Sequence, residues 1–552
     1  MRKPAPPYQV SSAGNTHAGM LVLGYRGTLQ PDAPSRPAET PPQMAALLMP
    51  HLQQALAELD HRLPPDQRNF QGEPIPADGL LVALHERLQE ILILPLAEHL
   101  AVSTAETFPE DHRFYSEYPA LPSLLRQAVI DWATATVAFC RRLQRDSSRL
   151  AKWLGLATLP PIESLTGTTS DMHPGGHLVL RVLFRGGPCI FYKPRPLSGE
   201  WLWHALLESI TSADSTLHLP ATRVLPGTHP ERYGWMESVL PHPSAPCPQS
   251  TSSYWHNAGA MTCLASLVGL SDLHLGNIIA TPNGPIVTDA ECLASPALDN
   301  SAVKDKISQG DQLQAISQSL FDTGLLPNHT DQNLPDVSGL FGSAAKAPAL
   351  QLPRWSQSAT GKPILITAPA KLLDHGNSPG TTSPLTVLPH LVNGYRHAAQ
   401  ALLDARSALL APESSWRRLL VHNHAPRVVL RNTLTYALLL SRSLDPIHLR
   451  SPQQRQYALR AMLRQIPPHH LPASILRVEL RSLLHLHIPQ LVLLPGAGTL
   501  ATASGTPLVR RFVKAPPALE VITRINDLSP KDIETMHIPA LISALLSPPK
   551  PA

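Results

Sequence analysis

The residues of this chain whose types and spacing could do chemistry are Asp272-Leu273-His274, Asn277 three positions on, and Asp289 after a short apolar run. Ile278 and Ile279 lead out of the loop, Asn283-Gly284 predicts a two-residue turn, and Ile286-Val287 returns. Such a hairpin would bring Asn277 and Asp289 together at its open end. Two oxygen ligands beside a free carboxylate suit phosphoryl transfer. Asn277 and Asp289 would hold Mg²⁺, and Asp272 would orient or deprotonate an attacking hydroxyl. Taken alone, the same stretch also reads as a polar loop with an Asx turn.

The elements that must position these groups lie upstream. Residues 167–176 end in Gly175-Gly176, and two β runs follow, His177–Phe184 and Cys189–Tyr192, joined by Arg185-Gly186-Gly187. A Gly-rich loop before a hairpin can lay backbone N–H groups over nucleotide phosphates, although Gly-Gly before a strand is equally a simple turn. Asp171 and His173 sit in that loop and by themselves read as turn residues. Lys193 ends the second run, where it could bridge phosphate oxygens or stand solvated. Pro194 and Pro196 stop the strand, and Ser198 is an N-cap candidate for a helix over 199–210. Glu208 on that helix is a candidate partner for Lys193. Tyr233–Val239, containing Glu237, is short and β-like. It stands where a two-lobed kinase places its adenine-contacting hinge, or is an ordinary strand. A helix over 254–268 then leads into the Asp272 loop.

Composition frames this reading. The chain has 552 residues, 43% hydrophobic and 16% charged, enough for several lobes and a large core. A net charge of +4 is too weak to argue for nucleic acid or an anionic membrane. The five cysteines are scattered without Cys-x-x-Cys, which fits reduced thiols in the cytosol and not a disulfide framework or zinc site. No apolar run is long enough for an integral membrane segment, and the N-terminus has no signal-peptide pattern. With 59 prolines, interrupted helices and long loops are expected. Residues 1–41 read as disordered. Leucines at helical spacing mark 42–158 as a helical N-terminal subdomain, 159–240 as β-rich and 241–552 as catalytic with helical additions.

The order of Gly loop, lysine, hinge, Asp-x-His-x-x-Asn and metal Asp is more specific than any member. It resembles phosphoinositide-kinase-type catalytic loops more than the His-Arg-Asp loop of protein kinases. A narrower resemblance rests on Asp171-Met172-His173 before Gly175-Gly176, Tyr192-Lys193-Pro194-Arg195, Tyr233-Gly234-Trp235-Met236-Glu237, Ser271–His274 with Asn277, and Thr288-Asp289-Ala290-Glu291. It continues through Thr323–Pro327, Asp336–Leu340, and Arg427 with Arg431-Asn432-Thr433. These phrases are similar to the dehydratase domain of LanM, the class II lanthipeptide synthetases, from about Tyr118 to near the C-terminus. The resemblance implies an α+β fold: a two-lobed, lipid-kinase-like core with added helical subdomains.

The resemblance also implies an activity. It is ATP- and Mg²⁺-dependent phosphorylation of Ser and Thr in a leader-guided precursor peptide, then elimination of phosphate to dehydroalanine and dehydrobutyrine. Lys193 would bind ATP phosphates, with Gly175, Gly176 and Glu237 as further nucleotide contacts. Asp272 would be the catalytic aspartate with His274 beside it, Asn277 and Asp289 would hold Mg²⁺, and Asp171 and His173 would join the active site. Arg427 and Thr433 would serve elimination, where a guanidinium suits departing phosphate. Arg431 could also touch phosphate or be a structural ion pair, and Thr433 also reads as an N-cap of a helix over 434–440.

The chain departs from the family pattern in places. Asn257 stands where Arg is common, Gly276 replaces a residue often acidic, and the region before Tyr118 reads as shortened. No LanC-like cyclase module is evident, so ring closure would need a separate LanC-like partner. A kinase without elimination and an inactive peptide-binding relative stay open. Three close histidine pairs (His422/His424, His469/His470, His485/His487) lack carboxylate or Cys partners for a metal. Arg460 and Arg464 read as a solvated helix face. Residues 329–385 read as an irregular cover over the site or as disorder.

Overall fold

The computed structural model describes residues 42–76, 78–102, 111–167, 175–239, 252–296, 309–327, 336–342, 350–357, 363–370, 383–431, 433–469 and 471–546. The fold is mixed, with long helices around small sheets, as α+β implies. Asp171, His173, Cys247 and residues 1–41 lie outside the described residues.

Helical periodicity produces the expected helices at Pro42–Arg62, Asp78–Val102 and Leu121–Trp153. Their apolar stripes (Leu47, Leu88, Leu92, Leu125, Val129) bury in one core. The strands that follow are all antiparallel. Their order is Ile162–Gly167, Leu180–Phe184, Cys189–Lys193, Gly234–Glu237, Val224–Pro226. The second strand starts at Leu180, later than the run from His177 suggests. The long helix is fixed to this sheet by aromatic and polar contacts together. Phe139 packs edge-on to Tyr192, whose ring lies 5.1 Å from that of Trp235. Asp146, buried in the helix, accepts from Trp235 Nε1 at 2.8 Å.

A second core forms around Ser252–Val268, a helix buried on nearly every side, as an apolar all-round sequence requires. It crosses Pro384–Leu410 very closely. A Cβ at Gly394 would lie 1.7 Å from the His256 carbonyl oxygen. The helices Thr433–Ser443, Pro452–Gln465 and Ala473–Leu484 bury Tyr436, Leu459 and Leu483 in the first core, beside the N-terminal helices. A short sheet orders Arg427–Val428, Leu491–Leu493, Leu500–Thr502 and Pro507–Val509.

The stretch 329–385 is not irregular throughout. Leu350–Gln357 and Pro363–Ala370 pair antiparallel along eight residues each, and Trp355 leans on the first core. Ile364, Ile366 and Thr367 on one strand and Trp355 on the other suit a paired ribbon, whereas the Pro and Gly content of the wider stretch suggests a loop. Among the described residues, no helix is long and apolar enough to cross a membrane, and Cys140, Cys189, Cys263 and Cys292 are free thiols.

Candidate active site

The hairpin forms from Ile278–Thr281 and Gly284–Val287. Its two-residue loop is Pro282-Asn283, one position earlier than the Asn-Gly pair suggests, because Thr281 already pairs with Gly284. Proline's fixed φ suits the first loop position. Gly284, at φ +125, opens the return strand where a Cβ would lie 2.8 Å from that of Asn257. Asn257 fills this space and donates through Nδ2 to the carbonyls of Asn283 (2.7 Å) and His218 (2.9 Å), pinning the hairpin tip. At the open end the Thr288 N–H donates to the Asn277 carbonyl at 2.9 Å, which brings Asn277 beside Asp289.

The Asp272 loop is braced from outside. Asp272 has φ +66, a left-handed conformation that Asp tolerates better than most residues. Asn277 Nδ2 donates to its carbonyl at 2.9 Å. Leu273 N–H donates to Thr323 O (2.8 Å), Leu275 N–H to Val337 O (2.9 Å), and His274 forms a β-bridge with Ser338. Thr323–Pro327 and Asp336–Leu340, quoted above only as matching phrases, thus clamp the loop. His274 Nδ1 accepts from the Gly276 N–H at 3.0 Å. Burial pushes its pKa down to about 4, despite the Asp289 carboxylate nearby, so the ring is neutral.

Lys193 is buried, and its ammonium donates to Thr288 O at 2.6 Å. It pairs with Glu200 (3.3 Å) and lies 3.6 Å from Asp289 Oδ2. Its carboxylate partner is therefore Glu200, not Glu208, which is mostly exposed and faces His204. The helix Ser198–Ala213 is separated from the strand by only four residues, so its first turn stays within reach of Lys193. Glu208 is about 12 Å further along the axis. Ser198 does not cap the helix; its hydroxyl bonds His424 Nδ1 at 2.8 Å. Gly199 lets the helix end touch the segment that carries Asp289, since a Cβ there would lie 2.1 Å from Ala290 O.

Two residues quoted in motifs without a role complete the cluster. Arg195 donates to Glu200 Oε1 (2.6 Å) and Asp289 Oδ2 (2.7 Å), and its Nε lies 3.2 Å from Glu291 Oε2. Glu291 Oε1 takes the guanidinium of Arg427. Three cations, Lys193, Arg195 and Arg427, thus interleave with three carboxylates, buried Glu200 and part-buried Asp289 and Glu291, in one chain of ion pairs. Removing any one would leave a buried charge unbalanced. Burial opposes the charge on Asp289, but Arg195 and Lys193 hold its pKa well below the ordinary carboxylate range. Burial likewise opposes charge on Arg427, yet Glu291, Cys292 and Asp272 raise its pKa. Asp272 and Arg427 therefore share one electrostatic neighbourhood. The signal for Arg195 and Glu291 was their place in Lys-Pro-Arg and Asp-Ala-Glu.

Other expected groups lie elsewhere. Arg431 is buried, with Nε on Glu479 (3.0 Å) and Nη1 on Ile466 O (2.6 Å) and Pro467 O. It is a structural ion pair. Thr433, buried, is the first residue of its helix. Gly175 and Gly176 form a turn at φ +84 and +71, and Gly176 packs on Asp131 of the long helix. Gly234–Glu237 is paired with strands on both sides, and the Glu237 side chain forms a two-point ion pair with Arg223. Among the described residues no group of three or more His, Cys, Asp or Glu could hold a metal, and His424 instead bonds Leu293 O at 2.7 Å.

A family model described as a domain of unknown function, DUF4135, matches residues 118–492. The chain is also similar to the lacticin 481/lactococcin biosynthesis protein LcnDR2 of Lactococcus lactis subsp. lactis, at 20% identity over 363 residues, 63% of this chain. It spans 38% of that relative's length. Every LanM-like phrase from Asp171 to Thr433 falls inside the matched residues, and the chain belongs to the DUF4135 family, LanM-like through that region.

Proposed function

We propose that the chain acts in lanthipeptide maturation as an ATP-dependent dehydratase on a kinase-like core. It would phosphorylate Ser and Thr of a precursor peptide and then eliminate the phosphate. The observation that carries this reading is the Glu291 bridge, which links Arg427 to the Arg195–Asp289–Lys193 cluster. A kinase alone has no use for an elimination pair, and Arg427 and Thr433 are both present.

Asn277 and Asp289 are hard oxygen donors, few in number, and so fit Mg²⁺, which keeps several waters. Bound ATP and Mg²⁺ would supply the phosphoryl group and neutralise its charge. Lys193 would bind phosphate oxygens, and Asp272 would take the proton of the substrate hydroxyl as that oxygen takes the phosphoryl group. Neutral His274, fixed by the Gly276 N–H, would hold its remaining N–H toward the site. In the second step the substrate's Cα proton would pass to water, the Cα–Cβ double bond would form, and the Cβ–O bond would break to release inorganic phosphate. Arg427 would receive the departing phosphate, and Thr433 would lend its hydroxyl.

The deciding experiment incubates the protein with Ser/Thr-rich peptides, ATP and Mg²⁺ and reads masses. Loss of water supports the dehydratase. Phosphate gain without later loss supports a kinase only, and an unchanged peptide across the panel counts against both.

A further inference from the structure

Helices Pro452–Gln465 and Ala473–Leu484 pack side by side and leave a groove of about 260 Å³. Its floor is Leu463, Leu476 and Leu480, and its rim is Arg460, Arg464 and Arg477. The rim arginines are exposed, as is Arg481 one turn beyond Arg477. Among the described residues none of these four is ion-paired with a carboxylate. The one acidic residue on the two helices, Glu479, is buried and taken by Arg431 and Tyr436. Arg455 is turned inward onto Leu483 O and Leu484 O. Arg460/Arg464 and Arg477/Arg481 are like-charge pairs at i, i+4, a spacing at which cations repel. The solvated face read from sequence is thus a basic frame around an apolar trough.

We propose that this groove docks an acidic, amphipathic helical segment of the peptide substrate, outside the residues that are modified. Leu or Ile side chains would lie on the leucine floor, and Asp or Glu would meet the arginine rim. The inference rests on the peptide-modifying reading above. Leucines in place of stacking aromatics favour a peptide over nucleic acid. A concave trough favours it over a membrane surface, which flat or convex faces meet. Charge complementarity is local, because the chain as a whole carries only +4.

The test uses the full chain and a fluorescein-labelled synthetic helix of about 14 residues, Leu on one face and Glu at its margins. Wild-type protein should raise its anisotropy, and added salt should weaken binding. Arg460→Glu/Arg464→Glu should raise Kd at least tenfold, and Arg477→Gln severalfold. A Lys-for-Glu peptide should not bind. Equal binding by wild type and the charge-reversed variant overturns the proposal, as does wild-type preference for single-stranded DNA or phosphatidylserine vesicles. Circular dichroism verifies that each variant is folded, and Arg477→Gln, the mildest change, keeps the test open if the double variant is not. In the mass assay, the double variant should raise KM for the peptide with kcat held. Intact dehydration without groove binding overturns this inference alone. Groove binding without dehydration overturns only the dehydratase reading.

Discussion

Arg427 is tied to Glu291 twice. Its backbone N–H donates to the Glu291 carbonyl at 2.9 Å, and its guanidinium bonds the Glu291 carboxylate. The two residues are 136 positions apart. This pairing places an arginine from a two-residue edge strand against the segment that carries Asp289. The other carboxylate oxygen faces Arg195, so Glu291 couples Arg427 to the Lys193–Arg195–Asp289 cluster.

Arg427→Ala should leave phosphorylated peptide accumulating, because the departing phosphate loses its cation. The elimination rate should fall about 10²–10³-fold, with phosphorylation largely retained. Single-turnover mass spectrometry of both species checks this. Complete dehydration at the wild-type rate would remove Arg427 from elimination.

Asp272→Asn should abolish both steps while leaving the fold intact. Asn tolerates φ +66 as well as Asp does, and the bond from Asn277 goes to the backbone carbonyl. Phosphate incorporation should drop at least about 10²-fold, with Tm within a few degrees of wild type. Continued dehydration would sink the assignment of Asp272.

Gly199→Ala should damage the site from a distance. The new methyl meets the Ala290 carbonyl oxygen at 2.1 Å, which is backbone and cannot rotate away. The helix end, carrying Glu200, must then shift from Asp289. A loss of about 1–3 kcal/mol in urea unfolding and a raised KM for ATP are expected. Unchanged values of both would show that the contact is loose.

Stability should fall as the solution is acidified from pH 6.5 toward 4. Burial of His424, 3% exposed, pushes its pKa down to about 4 from the ordinary 6.5, against the favourable Leu293 carbonyl. In that window the unfolded chain binds the proton and the folded chain does not. One such group therefore costs up to about 1.4 kcal/mol per pH unit. His424→Gln should flatten the slope of unfolding free energy against pH, measured by urea melts; an unaltered slope would show that His424 does not titrate between the two states.

Much of the site was legible because its signals are local. The turn between two β-branched runs announces the hairpin, and the hairpin alone places Asn277 near Asp289. The loop register differs by one residue from the one that Asn-Gly suggests, since Pro282 and the packing of Asn257 against Gly284 outweigh Asn-Gly propensity. Lys193 stands out at a strand end, but its partner Glu200 lies two helical turns before Glu208, the candidate that the sequence offers. The structural task of Arg431 was open in sequence, because four of its acceptors are backbone carbonyls between Leu463 and Pro468, which no side-chain pattern reports.

The sequence by itself determined which groups exist, their order and the local turns that hold Asp272, Asn277 and Asp289. Only the tertiary structure decided who pairs with whom. Arg195 and Arg427 meet on Glu291, and Glu200 reaches Lys193. The reason is physical. Burial makes each unpaired charge costly, so partners are set by which backbones pack within hydrogen-bond reach. That reach depends on contacts such as Gly199 on Ala290 and the Arg427 N–H on Glu291, which join segments far apart along the chain.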